Sequence, residues 1–412
     1  MSKKNLHVDK NREKQWENPS FKNFSKGLNF NLIVPSLLLL AIGLVAVASA
    51  SNYKALVESQ YASSITYLVR QIIFALFGGL MCLFVYRIRP EIFRRNQLKN
   101  FLIVGMSVVL VVVFFLMPTI NGAKGWIVLG PISIQPVEFL KPLMILLWAD
   151  YLDRHQQEVV NEGMGSTLKK NFKLPLVLLA WLAIVFLFPD TGGVLLLSLI
   201  LIGMTLASGI PLIFTKRFLG WGTGVYLFSV VFLKLFNLSF LSKVSYKLAR
   251  LISFANPFRD AKGTGLQLVN SYYALAMGGL LGQGPGNSIQ KTGYLPEAHT
   301  DFIMAIVGEE YGFIGMFLIL LAYFYLIFYI FYRAKRIINN YHQLIMIGIG
   351  FYFLSQILVN LGGITGLIPI TGVTFPFISY GGSSILTTGI MLGLALAIDD
   401  RNQRALYLQN EK

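Results

Sequence analysis

The chain of 412 residues is 55% hydrophobic and only 13% charged, which excludes two or three ordinary soluble domains and indicates an integral membrane protein. The net charge of +16 does not indicate nucleic-acid binding, because the lysines and arginines are spread over short connections between apolar runs. The lone Cys82 lies inside an apolar run, which excludes a disulfide framework and a Cys-x-x-Cys metal site.

The first 29 residues are basic and poor in apolar side chains, which predicts a solvated cytoplasmic tail. The apolar run that follows ends in Ala48-Ser49-Ala50, a pattern typical of a signal-peptidase site. We expect no cleavage there, because the preceding tail is long for a signal peptide and the run is long enough to span a membrane. The predicted divisions are therefore a tail at 1–29, a transmembrane domain at 30–398 and a cytoplasmic tail at 399–412.

Apolar runs of spanning length recur along the whole chain. Ten are counted, at 30–50, 67–86, 101–117, 136–152, 174–188, 194–213, 218–236, 302–332, 344–361 and 383–398. The run 302–332 is long for one span, so we expect it to be tilted or to extend past the bilayer. The predicted fold class is an all-α polytopic membrane protein with about ten transmembrane helices.

The cations between spans set the orientation. Groups of lysine and arginine at 87–99, 169–173, 216–217 and 333–336 all fall on one side, which the positive-inside rule assigns to the cytoplasm together with both termini. The opposite, outer side receives 119–135, 189–193, 362–382 and a large extracellular loop, 237–300, between spans seven and eight. Nearly all the unusual motifs lie on this outer side.

Ionisable residues close to the apolar layer are the first candidates for a site. Glu138 and Lys141 are three apart on one helical face of an apolar segment, where such side chains are functional or mutually paired. Trp126, in the preceding loop, also suits an ordinary interfacial belt, and Arg70 suits an arginine that reaches to the interface. Asp190, between Pro189 and Gly192, is by itself typical of a simple turn.

The stretch 282–315 contains a glycine-rich loop and then Pro296, which predicts a helix that begins there with Glu297 in its first turn. Helical spacing would place Glu297, Asp301 and Glu309 on one face. Asp301 is equally well explained as a helix-start acid and as a catalytic carboxylate. His299 is better explained by packing or hydrogen bonding than by metal ligation.

The segment 371–384 is rich in glycine, proline and hydroxyl side chains, which would be costly as lipid-facing backbone. It predicts a re-entrant loop or a broken helix that lines a polar cavity, and a small-residue packing surface is the alternative. Ser379 is not predicted to be a nucleophile, because no histidine base is assigned near it.

These segments, in order from residue 30 to 400, resemble the SEDS family (shape, elongation, division and sporulation) of FtsW, RodA and SpoVE. The resemblance rests on Asn-Gly-Ala-Lys-Gly-Trp at 121–126, Gln-Pro-Val-Glu at 135–138, Pro-Asp-Thr-Gly-Gly at 189–193, Tyr-Leu-Pro-Glu-Ala-His-Thr-Asp at 294–301 and the last signature at 371–384. Gly125, Val137 and Gly193 depart from the family pattern, where a basic residue, a serine and a threonine are usual. The amino-acid sequence that precedes Asp301 is more similar to the division branch of the family, FtsW, than to the elongation branch, RodA.

The resemblance implies a peptidoglycan glycosyltransferase that polymerises lipid II, a disaccharide-pentapeptide on undecaprenyl pyrophosphate, beside a class B penicillin-binding protein and other division proteins. It implies Asp301 as the general base, in a multi-pass protein of the bacterial cell membrane at the division septum. The implied substrate-binding residues are Arg70, Lys124, Trp126, Glu138, Lys141, Asp190, Arg250, Lys291, Glu297 and Ser379. No cofactor is required by this chemistry, although a divalent cation, Mg2+ or Mn2+, would serve beside the leaving pyrophosphate.

Three alternatives stay open from the sequence. A lipid II flippase would use the same buried ions as a transport path, and it predicts a polar path that continues to the cytoplasmic side. A scaffold that only recruits the penicillin-binding protein predicts tolerance of Asp301→Asn. An elongation-type polymerase of the RodA kind would share the chemistry and differ in its cellular role.

Overall fold

The structure is a computed structural model that describes residues 29–54, 64–117, 125–129, 132–210, 212–235 and 246–410. Lys124, one of the candidate substrate-binding residues, lies outside the described residues, as does nearly all of the basic tail. Apart from one short hairpin, the described regular structure is helical. The hairpin pairs β1 (Ile127–Leu129) with β2 (Ile132–Ile134) in antiparallel fashion, with Ile127 opposite Ile134.

The α-helices are numbered here in chain order. They are α1 (Phe30–Ala50), α2 (Ser64–Arg87), α3 (Asn96–Leu116), α4 (Pro136–Arg154), α5 (Gln156–Glu162), α6 (Met164–Lys170), α7 (Lys173–Leu187), α8 (Thr191–Leu206), α9 (Leu212–Leu235), α10 (Tyr246–Ala255), α11 (Leu266–Gly278), α12 (Ile303–Ala334), α13 (Asn340–Ile364) and α14 (Gly382–Asn410). Short 3-10 helices occupy Pro90–Arg94 and Pro257–Asp260. Where the structure describes it, from residue 246 onward, the expected outer loop contains the α-helices α10 and α11 and the 3-10 helix Pro257–Asp260.

The expected helical membrane fold is confirmed, since every one of the ten apolar runs falls largely within a helix. Six described helices, α1, α2, α3, α12, α13 and α14, are long and apolar enough to cross a membrane, and the number is up to seven if the bent pair α6 and α7 forms one span. Apolar runs of this length form helices because a membrane leaves no water to satisfy the backbone, so each helix must satisfy its own. The count of ten crossings and the orientation stay predictions.

Helix α13 lies at the centre of the packing. It contacts α4, α8, α11, α12 and α14, while α14 packs along α2 and α12 packs along α1. Because α13 is covered on so many sides, its polar side chains Tyr352, Gln356 and Asn360 are buried. The fold thus places the C-terminal end of α13 beside the segments that carry the candidate site.

A charge cluster closes the other end of α4. Asp150 accepts hydrogen bonds from Arg94 at 2.9 Å, Lys99 at 3.2 Å and Arg154 at 2.7 Å. A buried carboxylate with three cationic partners is compensated by charge as well as by hydrogen bonds. Several of the cations assigned to the cytoplasmic side therefore have local partners within the fold.

The predicted helix start at Pro296 is wrong. Residues 296–302 form turns, α12 begins at Ile303, and Glu297 has a left-handed φ of 56°. The main-chain oxygen of Glu297 accepts from the amide N–H of Thr300 at 3.1 Å and of Phe302 at 3.3 Å, which closes a turn rather than a helix. Glu297, Asp301 and Glu309 consequently do not share one helical face.

The long span is also not one regular helix. Its backbone breaks at Gly312, where φ is 66° and ψ is −171°. The break admits the glycine-rich turn that precedes it in sequence: a Cβ at Gly312 would lie 2.4 Å from Gly282 N, and Phe313 N donates to Gly279 O at 2.9 Å. Only glycine supplies both the conformation and the space.

Candidate functional site

The backbone that leads into Asp301 is held from another part of the chain. Three successive main-chain oxygens, at 299–301, accept hydrogen bonds from Tyr380 N at 2.9 Å, Ser379 Oγ at 2.7 Å and Asn360 Nδ2 at 2.7 Å. Two of these donors belong to the segment 371–384, and the third is near the C-terminal end of α13. Buried carbonyls need such partners, so the arrangement fixes the segment without regular secondary structure.

Asp301 borders a narrow cleft. The cleft is lined by Asp301, Phe302, Val359, Asn360, Gly363, Ile364 and residues 370–373. At Gly372, where φ is +74°, an added Cβ would lie 3.3 Å from Asp301 Oδ2. A side chain at residue 372 would therefore press against the Asp301 carboxylate, and glycine avoids that contact.

The environment of Asp301 favours its protonated form. Burial, and then the negative charge of Glu297, raise the pKa of Asp301 to about 7, against opposition from the positive charge of Arg250. A carboxyl group that titrates near neutrality can hold or release a proton under physiological conditions. This property is what general acid–base catalysis requires.

A second carboxylate lies close enough to influence the first. Asp190 is the N-cap of α8, and its side chain accepts from Gly193 N at 2.7 Å and from Gln135 Nε2 at 3.3 Å. Burial raises the pKa of Asp190, while the hydrogen bond from Gly193 and the charge of Lys141 oppose the shift. The charge of Asp190 in turn contributes to raising the pKa of Asp301.

Arg250 carries positive charge to the same region. Its Nη1 donates to Ile370 O at 3.2 Å, on the loop that lines the cleft. Its charge lowers the pKa of both Asp190 and Asp301, although burial dominates at each. Arg250, Asp190 and Asp301 therefore form one electrostatic group, contributed by three separate segments of the chain.

Glu138 and Lys141 form a buried ion pair, as their spacing predicts. Lys141 Nζ is 2.6 Å from Glu138 Oε1, and the two residues are only 2% and 8% exposed, in that order. Lys141 also lies 5.8 Å from the centre of the Tyr352 ring. Because Lys141 is among the charges that act on Asp190, the pair extends the charged group into the helical core.

Other candidate residues have partners of their own. Lys291 Nζ is 2.6 Å from Glu310 Oε1 and 2.8 Å from Ser49 Oγ. Glu297 Oε2 accepts from Thr300 Oγ1 at 2.9 Å, and its Oε1 lies 3.8 Å from Lys54 Nζ. These contacts connect the segment before Asp301 with α1 and with Lys54. Lys291 and Glu297 therefore both have partners within the protein.

The remaining candidates differ in exposure. Arg70 is exposed on α2, and Trp126 is half-buried next to β1. Ser379 is only 2% exposed, and its hydroxyl donates to Thr300 O and accepts from Phe375 N, each at 2.7 Å. These two hydrogen bonds fix the loop, and the expectation that Ser379 is not a nucleophile stays a prediction.

Glu309 and His299 support the surrounding loops. Glu309 is fully buried and accepts from the Ser288 hydroxyl, from Ile289 N at 2.8 Å and from Gln290 N at 3.2 Å. The His299 ring packs 5.4 Å from the Tyr67 ring. The packing explanation of His299 thus accounts for its surroundings, and Glu309 holds the glycine-rich segment.

Among the residues that the structure describes, no group of three or more histidine, cysteine, aspartate or glutamate side chains could hold a metal ion. The side chains present therefore do not form a resident metal site of that kind. A divalent cation stays a prediction and enters no chemical step below.

Sequence reasoning overlooked Asn360. Asn360 contacts both the segment before α12 and the last signature, since its Nδ2 donates to Asp301 O and to Val373 O, each at 2.7 Å. Its sequence signal was a polar residue four positions after Gln356 inside an apolar run, which places both on one helical face.

Comparisons with known proteins agree with the resemblance. Residues 30–404 match the family FTSW_RODA_SPOVE, described as a cell cycle protein. A "Probable peptidoglycan glycosyltransferase FtsW" of Haemophilus influenzae is 37% identical over 89% of each chain. One of the same name in Bacillus subtilis is 35% identical over 95% of this chain and 94% of its own length.

Solved structures share the fold. A chain from the structure described as "Structural coordination of polymerization and crosslinking by a peptidoglycan synthase complex" has a TM-score of 0.69 and 25% identity, and the match covers 91% of this chain and 98% of that one. The rod shape determining protein RodA of Thermus thermophilus has a TM-score of 0.61 and 23% identity, over 91% and 97% of the two chains. By its sequence match across nearly its whole length, this multi-pass membrane protein belongs to the FtsW/RodA/SpoVE family, the SEDS family.

Proposed function

We propose that this chain is a peptidoglycan glycosyltransferase that polymerises lipid II into glycan strands during cell division, with Asp301 as its general base. The observation that carries the proposal is the Asp301 carboxyl group, which borders a cleft and has a pKa raised to about 7. The curated relatives named probable peptidoglycan glycosyltransferase FtsW support both the activity and the division role.

The chemistry needs one base. The Asp301 carboxylate takes the proton from the 4-hydroxyl of the acceptor sugar while that oxygen attacks the anomeric carbon of the donor strand. The new glycosidic bond forms as the bond to the undecaprenyl pyrophosphate breaks, and the pyrophosphate leaves with its lipid and the bonding electrons. The configuration inverts, and no covalent enzyme intermediate is required.

The surrounding charges suit this substrate. Arg250 lies on the loop that lines the cleft, and its charge acts on Asp301. A guanidinium group there would stabilise the negative charge that develops on the leaving pyrophosphate. The apolar surfaces between the helices would hold the undecaprenyl tail. Of the candidate cations, Arg250 is the one that the described contacts connect most directly with Asp301.

The proposed setting is the division septum, beside a class B penicillin-binding protein and other division proteins. The solved relative with a TM-score of 0.69 comes from a peptidoglycan synthase complex in which polymerization and crosslinking are coordinated. A polymerase of this kind would deliver its strands to a cross-linking partner. The RodA-like elongation role is the cellular alternative, and the 35–37% identity to proteins named FtsW favours division.

The flippase alternative requires polar groups through the bundle. In α4, Lys141 belongs to the outer charged group and Asp150 to the opposite cluster, and the residues between them, 142–149, carry no ionisable side chain. This separation favours an enzyme with a site at the outer end over a transport path along α4.

Polymerisation of purified lipid II tests the proposal. The wild-type chain and Asp301→Asn are each co-purified with the penicillin-binding protein and compared at equal complex yield. We expect glycan strands from the wild type and none from the variant. Equal rates would remove Asp301 as the base, and strands from neither would favour the flippase or the scaffold. A matched control is Asp260→Asn, a change at an exposed carboxylate that bonds Thr264 locally, which should leave the rate unchanged.

A further inference from the structure

Asn360 lies near the C-terminal end of α13 and lines the Asp301 cleft. Asn360 is 4% exposed, and it lines the cleft together with Asp301, Thr371 and Gly372. The hydrogen-bond partners of its N–H groups and of its oxygen determine what this amide can bind.

Both amide hydrogens of Asn360 are committed. Nδ2 donates to Asp301 O at 2.7 Å and to Val373 O at 2.7 Å. A side-chain NH2 group has two hydrogens, so its donor capacity is used in full. The amide cannot be reversed, because reversal would set its oxygen against two carbonyl oxygens. The orientation of the group is therefore determined by its neighbours.

The amide oxygen is left without a donor. Among the described residues, none donates a hydrogen bond to Asn360 Oδ1, although the atom is buried. A buried acceptor without a partner destabilises the folded chain. We therefore expect a donor that is not one of the described residues. The cleft that Asn360 lines has a volume of only about 10 Å³, enough for about one water molecule, so a larger ligand reaches the oxygen only by widening it.

We propose that Asn360 Oδ1 accepts a hydrogen bond from a neutral donor of the acceptor sugar, a hydroxyl or acetamido N–H group, when that sugar binds at the Asp301 cleft and widens it. The inference rests on the proposed function. Asn360 is then a substrate-binding residue. Its N–H groups hydrogen-bond the backbone at Asp301 and Val373, and its oxygen accepts a hydrogen bond from the sugar. A neutral donor fits better than a cationic one, because the sugar that Asp301 deprotonates offers only neutral donors.

A double-mutant cycle between enzyme and substrate isolates this contact. Wild type and Asn360→Ala are assayed with lipid II whose own 4-hydroxyl is blocked as donor, and with acceptors that each lack one other hydroxyl group or carry an N-methylated acetamido group. For one acceptor, we expect the wild type to lose about tenfold in kcat/KM relative to the intact acceptor, and Asn360→Ala to lose less than about twofold, because the partner is already absent. The loss should lie mainly in the KM for the acceptor.

Asn270 provides the matched control. It is a buried asparagine that also donates to a main-chain oxygen, that of Tyr294, but it does not line the cleft. Asn270→Ala should lower stability and leave the acceptor series as in the wild type. If the losses in Asn360→Ala equal those of the wild type for every acceptor, the contact does not exist and Asn360 is structural only.

Two further measurements distinguish a failure of this contact from a failure of the proposed function. If Asn360→Ala yields no folded complex, Asn360→Val, which better fills the space of the side chain and has no hydrogen-bond acceptor, is carried through the same series, and additive losses there would likewise overturn the contact. Asp301→Asn is assayed in parallel with the intact acceptor. If Asp301→Asn is active, Asp301 is not the base, whatever the result for Asn360. If Asp301→Asn is inactive and the losses at Asn360 are additive, the proposed function stands and only the contact of Asn360 with the sugar is disproved.

Discussion

The Ser379 hydroxyl donates a hydrogen bond to the main-chain oxygen of Thr300 at 2.7 Å, and so joins the last signature to the residue before Asp301. The same hydroxyl accepts from Phe375 N at 2.7 Å, which closes a turn within that signature. One buried side chain therefore sets the position of two segments that are far apart in sequence. The serine is better understood as a positioning residue than as a reactive group.

Replacement of Ser379 by alanine should weaken both segments. The change leaves the Phe375 N–H and the Thr300 oxygen without their partner, and each unsatisfied buried group costs about 1–3 kcal/mol. We expect a lower unfolding temperature in detergent and a lower kcat with little change in KM. Thr365→Ala is the control: Thr365 is an exposed residue that caps α13, its hydroxyl donates to Leu361 O of that helix, and its removal should be nearly neutral. An unchanged melting temperature for Ser379→Ala would contradict this role.

The polymerisation rate should depend on pH through Asp301. Its pKa is raised to about 7, and the base must be ionised to accept a proton. We expect kcat/KM to fall about tenfold per pH unit below that value and to level off above it. Initial rates from about pH 5.5 to about pH 8.5 measure the profile, with light scattering to verify that the complex stays intact. A flat profile over this range would show that another group limits the reaction.

Asp301 should also destabilise the folded protein at neutral pH. A carboxyl whose pKa rises from 3.8 to about 7 on folding binds its proton more tightly when folded, so stability falls as the pH rises through this interval. Asp301→Asn removes the titration. At about pH 8 we expect the variant to be more stable by on the order of 2 kcal/mol, after allowance for the partial exposure of the carboxyl.

Thermal unfolding in detergent at about pH 8 and about pH 4.5 measures this difference. The stabilisation should shrink at the lower pH, where the wild-type carboxyl is protonated in the folded state. Asp260→Asn serves for comparison, because hydrogen bonds from Thr264 lower the pKa of Asp260. Replacing this carboxylate by a neutral amide should therefore not stabilise the folded protein. A variant Asp301→Asn that is less stable at both pH values would refute the argument.

The buried pair of Glu138 and Lys141 should behave as a unit. Lys141→Met leaves the Glu138 carboxylate without its partner at 2.6 Å, which should cost about 3–5 kcal/mol of stability. Glu138→Gln combined with Lys141→Met removes both charges and should recover most of the loss. Melting temperatures of the single and double variants measure the coupling. A double variant no more stable than the single one would show that the residues act independently.

The sequence by itself determined the helical membrane architecture. Apolar runs such as 30–50 and 344–361 must be helical in a bilayer, because each helix satisfies its own backbone groups without reference to distant residues. The ion pair of Glu138 and Lys141 was equally readable, since a spacing of three places both on one helical face. These are local properties, and local sequence suffices for them.

The tertiary structure alone decided the conformation around Asp301. Pro296 and Glu297 predicted a helix, but the segment forms turns, because its carbonyls bond instead to Asn360, 59 residues from Asp301, and to Ser379, 79 residues from Thr300. The break of α12 at Gly312 likewise coincides with the packing of the distant turn at Gly282 against it. Hydrogen bonds between distant segments outweigh local helix propensity where both partners are buried, and no local pattern records which distant groups will meet.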